Sequence, residues 1–177
     1  MFVLITGGSG SGKSAYGEGR ILSFGEGRRI YIATMHPYDE ESLRRVDRHR
    51  RMRAGKGFET VERYTGLSEL VLPSDSVVLL ECLSNLVANE MFQEEGAKEE
   101  TVKEIWEGIQ NLKKQARHLV VVTNEIFSEA ASYEGDTKRY EQYLGELNQE
   151  LAAEADEVVE VVYGIPVFHK KAKEADQ

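Results

Sequence analysis

The segment "GGSGSGKS" at residues 7–14 constrains the fold of this chain more than any other part of the sequence. It fits the pattern G-x-x-x-x-G-K-S, with Gly7, Gly12, Lys13 and Ser14 at the fixed positions. The apolar run "FVLIT" precedes it and a helical pattern follows it, and this is the setting in which the pattern forms a phosphate-binding loop. The sequence therefore predicts a P-loop at the carboxyl end of the first strand.

Each part of this loop has a defined task toward a bound phosphate. Glycine lets the backbone turn tightly, so that N–H groups point at phosphate oxygens, and the following helix adds its positive amino-terminal end. We expect Lys13 to reach the β- and γ-phosphates and Ser14 to offer its hydroxyl to Mg²⁺. The residues expected to bind the phosphates are Gly7, Gly8, Ser9, Gly10, Ser11, Gly12, Lys13 and Ser14. The alternative interpretation is a glycine-rich turn without a ligand.

A P-loop also needs a carboxylate for its metal ion, usually at the end of a neighbouring strand. The run "SVVLLE" is the most apolar strand candidate of the chain, and it ends in Glu81. We therefore expect Ser14 and Glu81 to bind Mg²⁺ together. The alternative is that Glu81 is an ordinary surface carboxylate at the end of a strand.

Short β-branched runs alternate with longer amphipathic segments along the whole chain. The predicted strands are 2–6, 29–34, 58–62, 76–81, 118–123, 157–164 and a short one near 166–170. The predicted helices are 13–24, 39–53, 82–93, 97–116 and 137–155. This alternation predicts one α/β domain over residues 1–177, similar to P-loop NTPases, with a mostly parallel sheet and helices on both faces. Segment 157–164 alternates most in polarity, so we expect it at an edge of the sheet.

Charge and composition exclude several classes of protein. The net charge is −9, and a general nucleic-acid binder needs a positive surface for phosphate contacts. No apolar run approaches the roughly 18 residues that cross a bilayer, and the first residues lack the features of a signal peptide. The single cysteine, Cys82, cannot form an internal disulfide, which suits a reducing compartment. We expect a cytoplasmic protein with no nucleic-acid partner and no membrane span.

The segment "RRVDRHRRMR" at 44–53 places six arginines around His49 in this acidic chain. On a helix, Arg45, His49 and Arg53 share one face. Arginine matches phosphate with a planar fork, and like-charge repulsion favours the neutral, nucleophilic imidazole. A triphosphate could therefore be held while His49 attacks one phosphorus atom. The alternative is a solvated basic helix that pairs with the acidic residues 39–41.

The order of motifs resembles the bifunctional adenosylcobinamide kinase / adenosylcobinamide-phosphate guanylyltransferase family of cobalamin biosynthesis. The motifs are "LITGGSGSGKS", "YIAT", "DEESLRRVDRHRRMR", "FETVE", "LLECLSNLVAN", "VVTNE" and "LGELNQELAAEADEVVEVVYGIPV". They extend along nearly the whole chain. The P-loop alone occurs in many families, whereas this order of motifs is much more specific.

The resemblance implies an enzyme with two steps. First, ATP or GTP phosphorylates the hydroxyl of the aminopropanol arm of adenosylcobinamide. Then GTP transfers GMP to that phosphate through a GMP–histidine intermediate, and pyrophosphate leaves. The family's Arg-His-Arg pattern is here Arg48-His49-Arg50, which implies that His49 is the nucleophile and acts beside Lys13 of the P-loop. The resemblance also implies a homo-oligomer, typically a trimer.

Further nucleotide-binding residues follow from the same resemblance. They are Thr34, Met35, His36, Arg50, Arg51, Met52, Arg53, Glu62 and Glu81. The Glu62 carboxylate could accept hydrogen bonds from guanine N1–H and N2–H together, or from ribose hydroxyls.

The chain departs from the family pattern at two places. Phe58 stands where the family usually has tryptophan, and Ile126 and Phe127 stand where it usually has Val-Gly, with no proline following. Because phenylalanine lacks glycine's freedom at positive φ, we expect a loop of different shape after residue 125. If that loop contacts the acceptor, the specificity for the acceptor differs from that of the family. This altered loop leaves a P-loop kinase of small molecules without guanylyl transfer as one alternative. The arginine-rich helix leaves a second alternative, a nucleotide-binding module without transferase activity.

Overall fold

A computed structural model describes residues 1–126 and 134–172 of the chain. The strands are β1 (Phe2–Thr6), β2 (Arg28–Ala33), β3 (Phe58–Glu62), β4 (Ser76–Glu81), β5 (Ala116–Val122), β6 (Glu157–Val162) and β7 (Ile165–Lys170). The helices are α1 (Lys13–Ser23), α2 (Glu40–Arg53), α3 (Leu83–Phe92), α4 (Thr101–Gln115) and α5 (Gly135–Glu154). Two short 3₁₀ turns lie at Leu67–Glu69 and Lys98–Glu100.

All seven strands join one sheet in the order β3-β2-β4-β5-β1-β6-β7. Every neighbouring pair is parallel except β6 and β7, which form an antiparallel hairpin. The prediction of a mostly parallel α/β sheet is confirmed. Because β1 lies between β5 and β6, the loop after β1 is flanked by the carboxyl ends of central strands, where α/β sheets bind ligands.

The expectation that segment 157–164 forms a sheet edge is wrong. Strand β6 pairs with β1 on one side and with β7 on the other, so β7 is the edge strand. The polarity of β6 alternates because its deepest burial is at alternate positions, Val159 and Val161, and not because its backbone edge is free.

Helices cover both faces of the sheet, as predicted. On one face, sheet residues such as Leu80 and Val121 pack with residues of α3, α4 and α5. On the other face, Ile5 and Val120 pack with Ile21 of α1. Helix α2 belongs to neither core cluster of the described residues, and Arg53 is its one buried residue.

The boundaries differ from the prediction at several element ends. The helix expected over 97–116 is a 3₁₀ turn followed by α4, and β5 begins at Ala116 directly after that helix. Phe127, whose effect on the loop was predicted, lies outside the described residues. Within the described ranges, no helix combines the length and apolar character needed to cross a membrane.

Candidate active site

The P-loop connects β1 to α1, and hydrogen bonds from the segment after β5 and from the β6–β7 turn hold it in position. Gly7 has a φ of 153°, and a Cβ atom there would lie 2.6 Å from the Val161 carbonyl oxygen. The Glu125 amide donates to the Gly7 carbonyl at 3.2 Å, and the Gly164 amide donates to the Ser11 carbonyl at 2.8 Å. The end of β5 and the β6–β7 turn therefore fix the loop in place.

Lys13 lies in the loop with little contact with solvent. Its side chain is 9% exposed, and Nζ donates a hydrogen bond to the Gly8 carbonyl at 3.0 Å. Burial lowers the pKa of Lys13 from its usual value, and the nearby Cys82 and Glu81 oppose this effect. A bound phosphate would restore a full counter-charge to this desolvated ammonium group, so the site favours an anion.

Ser14 and Glu81 meet across the loop, as the sequence predicts for a metal site. The Ser14 hydroxyl donates to Glu81 Oε1. Glu81 is 8% exposed, and its Oε2 atom is buried without a hydrogen-bond partner in the described structure. An unpartnered carboxylate oxygen next to a hydroxyl fits a hard cation such as Mg²⁺. Since the described residues hold no group of three or more His, Cys, Asp or Glu side chains suited to a metal, phosphate oxygens and water would complete its coordination.

His49 faces the same carboxylate from α2. Its Nδ1 atom lies 3.5 Å from Glu81 Oε1 and is itself buried, while 22% of the side chain is exposed. The candidate nucleophile and the candidate metal ligand, 32 residues apart in sequence, therefore lie side by side at the carboxyl edge of the sheet.

Two cavities meet at this point. The larger one, the P-loop cleft, has a volume of about 930 Å³ and is lined by residues 8–15 and by parts of α2, α3 and α5. The smaller one, the α2–β3 cavity, has a volume of about 230 Å³ and lies between α2 and the ends of β2, β3 and β4. The residues that line both cavities are Met35, His49, Glu81, Cys82 and Asn85. His49 therefore borders both the P-loop cleft and the α2–β3 cavity.

The α2–β3 cavity carries a buried cation and a carboxylate. The Arg53 guanidinium lies 3.5 Å from the centroid of the Tyr31 ring, and its Nη2 donates to Thr60 Oγ1 at 3.4 Å. Arg53 is 7% exposed, and its Nη1 has no partner within the described residues. Glu62 accepts from Arg50 at 3.0 Å. This arrangement offers both a donor and an acceptor to a polar ring.

Three residues implied by the resemblance line neither cavity. Thr34 is fully buried, and its hydroxyl donates to the Cys82 carbonyl and accepts from the Cys82 amide, which ties β2 to the end of β4. His36 stacks on Tyr38 with ring centroids 4.2 Å apart. Arg51 is exposed, because two residues along a helix turn it away from the face of His49.

The basic helix also forms the surface pairs that the alternative interpretation expected. Arg45 pairs with Glu41 at 2.7 Å and Arg44 with Glu40 at 3.4 Å. Arg45 nevertheless lines the P-loop cleft together with Arg48 and Met52. Helix α2 therefore has one solvated face and one face toward the cleft.

The sequence reasoning missed several residues of the cleft. Asn85 follows β4, and Asn124 follows β5, so their positions after parallel strands were an available signal. Tyr140 has the helical spacing of a core residue and does pack against the core, but it also lines the cleft. Nothing in its local sequence indicates this second contact.

Comparisons with known proteins identify the family of this chain. A family model described as cobinamide kinase / cobinamide phosphate guanyltransferase matches residues 3–168. The bifunctional adenosylcobalamin biosynthesis protein CobU of Escherichia coli (strain K12) is 35% identical over 182 residues, covering 94% of this chain and 98% of that protein. The CobU protein of Salmonella typhimurium (strain LT2) is 33% identical with the same coverage.

Solved structures with similar folds are far more distant in sequence. The flagellar accessory protein FlaH of Methanocaldococcus jannaschii has a TM-score of 0.52 at 11% identity, covering 97% of this chain and 78% of that one. A KaiC-like protein of Pyrococcus horikoshii OT3 has a TM-score of 0.51 at 14% identity, covering 99% and 82%. These two likenesses concern the fold alone. Since the family model spans residues 3–168 and both CobU proteins are matched along almost their full length, this chain belongs to the cobinamide kinase / cobinamide phosphate guanyltransferase family.

Proposed function

We propose that this cobinamide kinase and guanyltransferase of cobalamin biosynthesis performs both reactions around one carboxylate, Glu81. The observation that carries the proposal is the position of Glu81, which accepts from Ser14 of the P-loop and lies 3.5 Å from His49 Nδ1. The phosphate-binding loop and the proposed nucleophile of the second reaction therefore both lie next to Glu81.

In the kinase reaction, the P-loop holds the triphosphate of ATP or GTP, and Lys13 contacts its β- and γ-phosphates. The acceptor hydroxyl oxygen attacks the γ-phosphorus, and the bond from that phosphorus to the β–γ bridging oxygen breaks. The nucleoside diphosphate leaves, and the hydroxyl proton passes to the surrounding phosphate or water. Mg²⁺ held by Ser14 and Glu81 would neutralise charge that develops on the phosphate oxygens.

In the guanylyl-transfer reaction, His49 attacks the α-phosphorus of GTP. Because Nδ1 is buried against Glu81, Nε2 is the nitrogen assigned to this attack. The bond from the α-phosphorus to the α–β bridging oxygen breaks, and pyrophosphate leaves toward Arg48 and Lys13. A phosphate oxygen of the acceptor then attacks the same phosphorus, the P–N bond breaks, and His49 is restored.

The α2–β3 cavity is the proposed site of the guanine base. The Glu62 carboxylate would accept from guanine N1–H and N2–H, and the unpartnered Arg53 Nη1 would donate to guanine O6. This assignment places the base on one side of His49 and the P-loop on the other. It is supported by the fact that His49 lines both cavities.

Covalent labelling tests the second reaction. The protein is incubated with α-labelled GTP and, separately, with γ-labelled GTP. We expect a label from the α-phosphate alone that is labile in acid and stable in alkali, as a phosphoramidate is. His49→Asn should abolish the label, and His169→Asn, an exposed histidine on β7, is the matched control that should retain it. A folded, GTP-binding protein that takes no α-label would leave a kinase without guanylyl transfer.

Assembly and location are further parts of the proposal. The resemblance implies a homotrimer, and apolar side chains exposed on the β6–β7 hairpin, such as Tyr163, Ile165 and Phe168, support a contact there. Light scattering measures the mass directly, and a monomer would contradict this part. The need for nucleoside triphosphates supports a cytoplasmic location, and the net charge of −9 supports the absence of a nucleic-acid partner.

A further inference from the structure

Two chemically different sets of side chains line the P-loop cleft. One set is cationic and comes from α2 and the loop, with Arg45, Arg48 and Lys13. The other set consists of amides and hydroxyls, and we name it the amide–hydroxyl wall. Its members come from α3, the end of β5 and the start of α5: Asn85, Asn124, Thr137 and Tyr140.

The charges around the cleft indicate that these two sets bind different kinds of ligand. A triphosphate carries several negative charges, and it is attracted to Lys13 and Arg48. Glu141 lines the cleft together with the amide–hydroxyl wall, and its negative charge disfavours phosphate at that side. The amide–hydroxyl wall therefore suits an uncharged polar ligand.

Hydrogen bonds fix the amide–hydroxyl wall to the start of α3. Asn124 Nδ2 donates to Ser84 Oγ at 2.6 Å, and the Tyr140 hydroxyl donates to the Ser84 carbonyl at 3.3 Å. Ser84 is itself 3% exposed, so the anchor is buried. Burial raises the pKa of Tyr140 to about 12, so its hydroxyl stays protonated even in mild alkali. Because its proton is donated to Ser84, its oxygen is the atom that can accept a hydrogen bond from a ligand.

The amide–hydroxyl wall is also tied to the start of the P-loop. The backbone amide of Glu125, the residue after Asn124, donates a hydrogen bond to the Gly7 carbonyl at 3.2 Å. Asn85 lines the cleft beside Glu81 and His49. A ligand held on this wall therefore lies beside the P-loop, Glu81 and His49.

We propose that Asn85, Asn124, Thr137 and Tyr140 bind the alcohol acceptor of the kinase reaction. The inference rests on the proposed function, and it assigns the part of the site that holds cobinamide. Cobinamide carries its hydroxyl on an amide-linked arm and bears further neutral amide groups around the corrin ring. Side-chain amides and hydroxyls both donate to and accept from such groups, without the cost of burying an unpaired charge. The wall orients the arm so that its hydroxyl faces the γ-phosphorus, and such positioning supplies much of the catalysis of phosphoryl transfer.

Steady-state kinetics with adenosylcobinamide as the acceptor test this assignment. The variants are Tyr140→Phe and Thr137→Val, which each remove one hydroxyl while keeping the size of the side chain. We expect each to raise the KM for adenosylcobinamide about threefold to tenfold, the range for one lost hydrogen bond. The KM for the nucleotide and the α-label on His49 should stay unchanged. Tyr143→Phe is the matched control, because Tyr143 lies on the same helix and packs against the core outside the cleft.

The possible results separate this inference from the proposed function. An unchanged KM for adenosylcobinamide in both variants, or an equal rise in the KM for the nucleotide, would overturn the assignment of the wall. If the parent protein binds nucleotide but does not phosphorylate adenosylcobinamide, the proposed function fails. In that case equilibrium binding of adenosylcobinamide still decides the matter: weaker binding to Tyr140→Phe than to Tyr143→Phe supports the wall, and equal or absent binding refutes it.

Discussion

A buried ion pair holds the turn that follows α2, and its removal should cost measurable stability. Glu18 of α1 is fully buried, and Lys56 Nζ lies 2.5 Å from its Oε2 atom. The other carboxylate oxygen of Glu18 has no partner within the described structure. The Lys56 carbonyl also accepts from Arg29 at 3.0 Å, so this turn joins α2 to α1 and β2. We predict that Lys56→Met destabilises the protein because it leaves the Glu18 carboxylate buried and unpaired.

The magnitude follows from the burial of the two partners. Removing one partner of a fully buried ion pair costs about 3–5 kcal/mol. Since the Lys56 side chain is 35% exposed, water can partly replace its ammonium, so we expect about 2–3 kcal/mol for Lys56→Met. For a chain of this size, that free energy lowers Tm by about 4–12 °C.

Urea unfolding followed by circular dichroism measures this change in the free energy of unfolding. The matched control is Lys103→Met, which removes an exposed lysine 3.7 Å from Glu100 and should cost less than about 0.5 kcal/mol. The double variant Glu18→Gln/Lys56→Met should recover much of the loss, because no charge is then left buried. If Lys56→Met costs no more than the control, Lys56 does not stabilise the Glu18 charge and the reasoning is refuted.

Two further predictions concern the metal site and the dependence of stability on pH. Glu81→Gln keeps the shape of the side chain but removes its charge, so we expect the Mg²⁺ concentration needed for nucleotide binding to rise about 10–100-fold. A Mg²⁺ titration with a fluorescent nucleotide measures this concentration. An unchanged midpoint would exclude Glu81 as a metal ligand. Burial is the main cause that lowers the pKa of His118 below its usual 6.5, and the charge of the nearby amino terminus adds to it. Below pH 6.5 the unfolded chain therefore binds more protons than the folded protein, and the free energy of unfolding should fall as the pH drops. His118→Phe keeps a ring against Phe24 and should flatten this part of the profile of Tm against pH, whereas an unchanged slope would assign it to other groups.

The sequence by itself determined the local features of this protein. The P-loop pattern has its meaning within eight residues and their immediate flanks, and the apolar runs specify strands because their side chains must be buried on both faces of a parallel sheet. The basic helix with His49 was likewise evident from periodicity alone. Family resemblance then supplied the roles of His49 and Glu62, which spacing could not provide.

Only the tertiary structure decided which of these features meet. The contact of His49 with Glu81, and that of Ser84 with Asn124 and Tyr140, join residues far apart in the chain. Such contacts depend on how the helical crossovers place the carboxyl ends of separate strands side by side, and local sequence does not encode this. The same long-range packing buries Thr34 against Cys82 and away from the cleft, although the family resemblance implied a place for it in the nucleotide site.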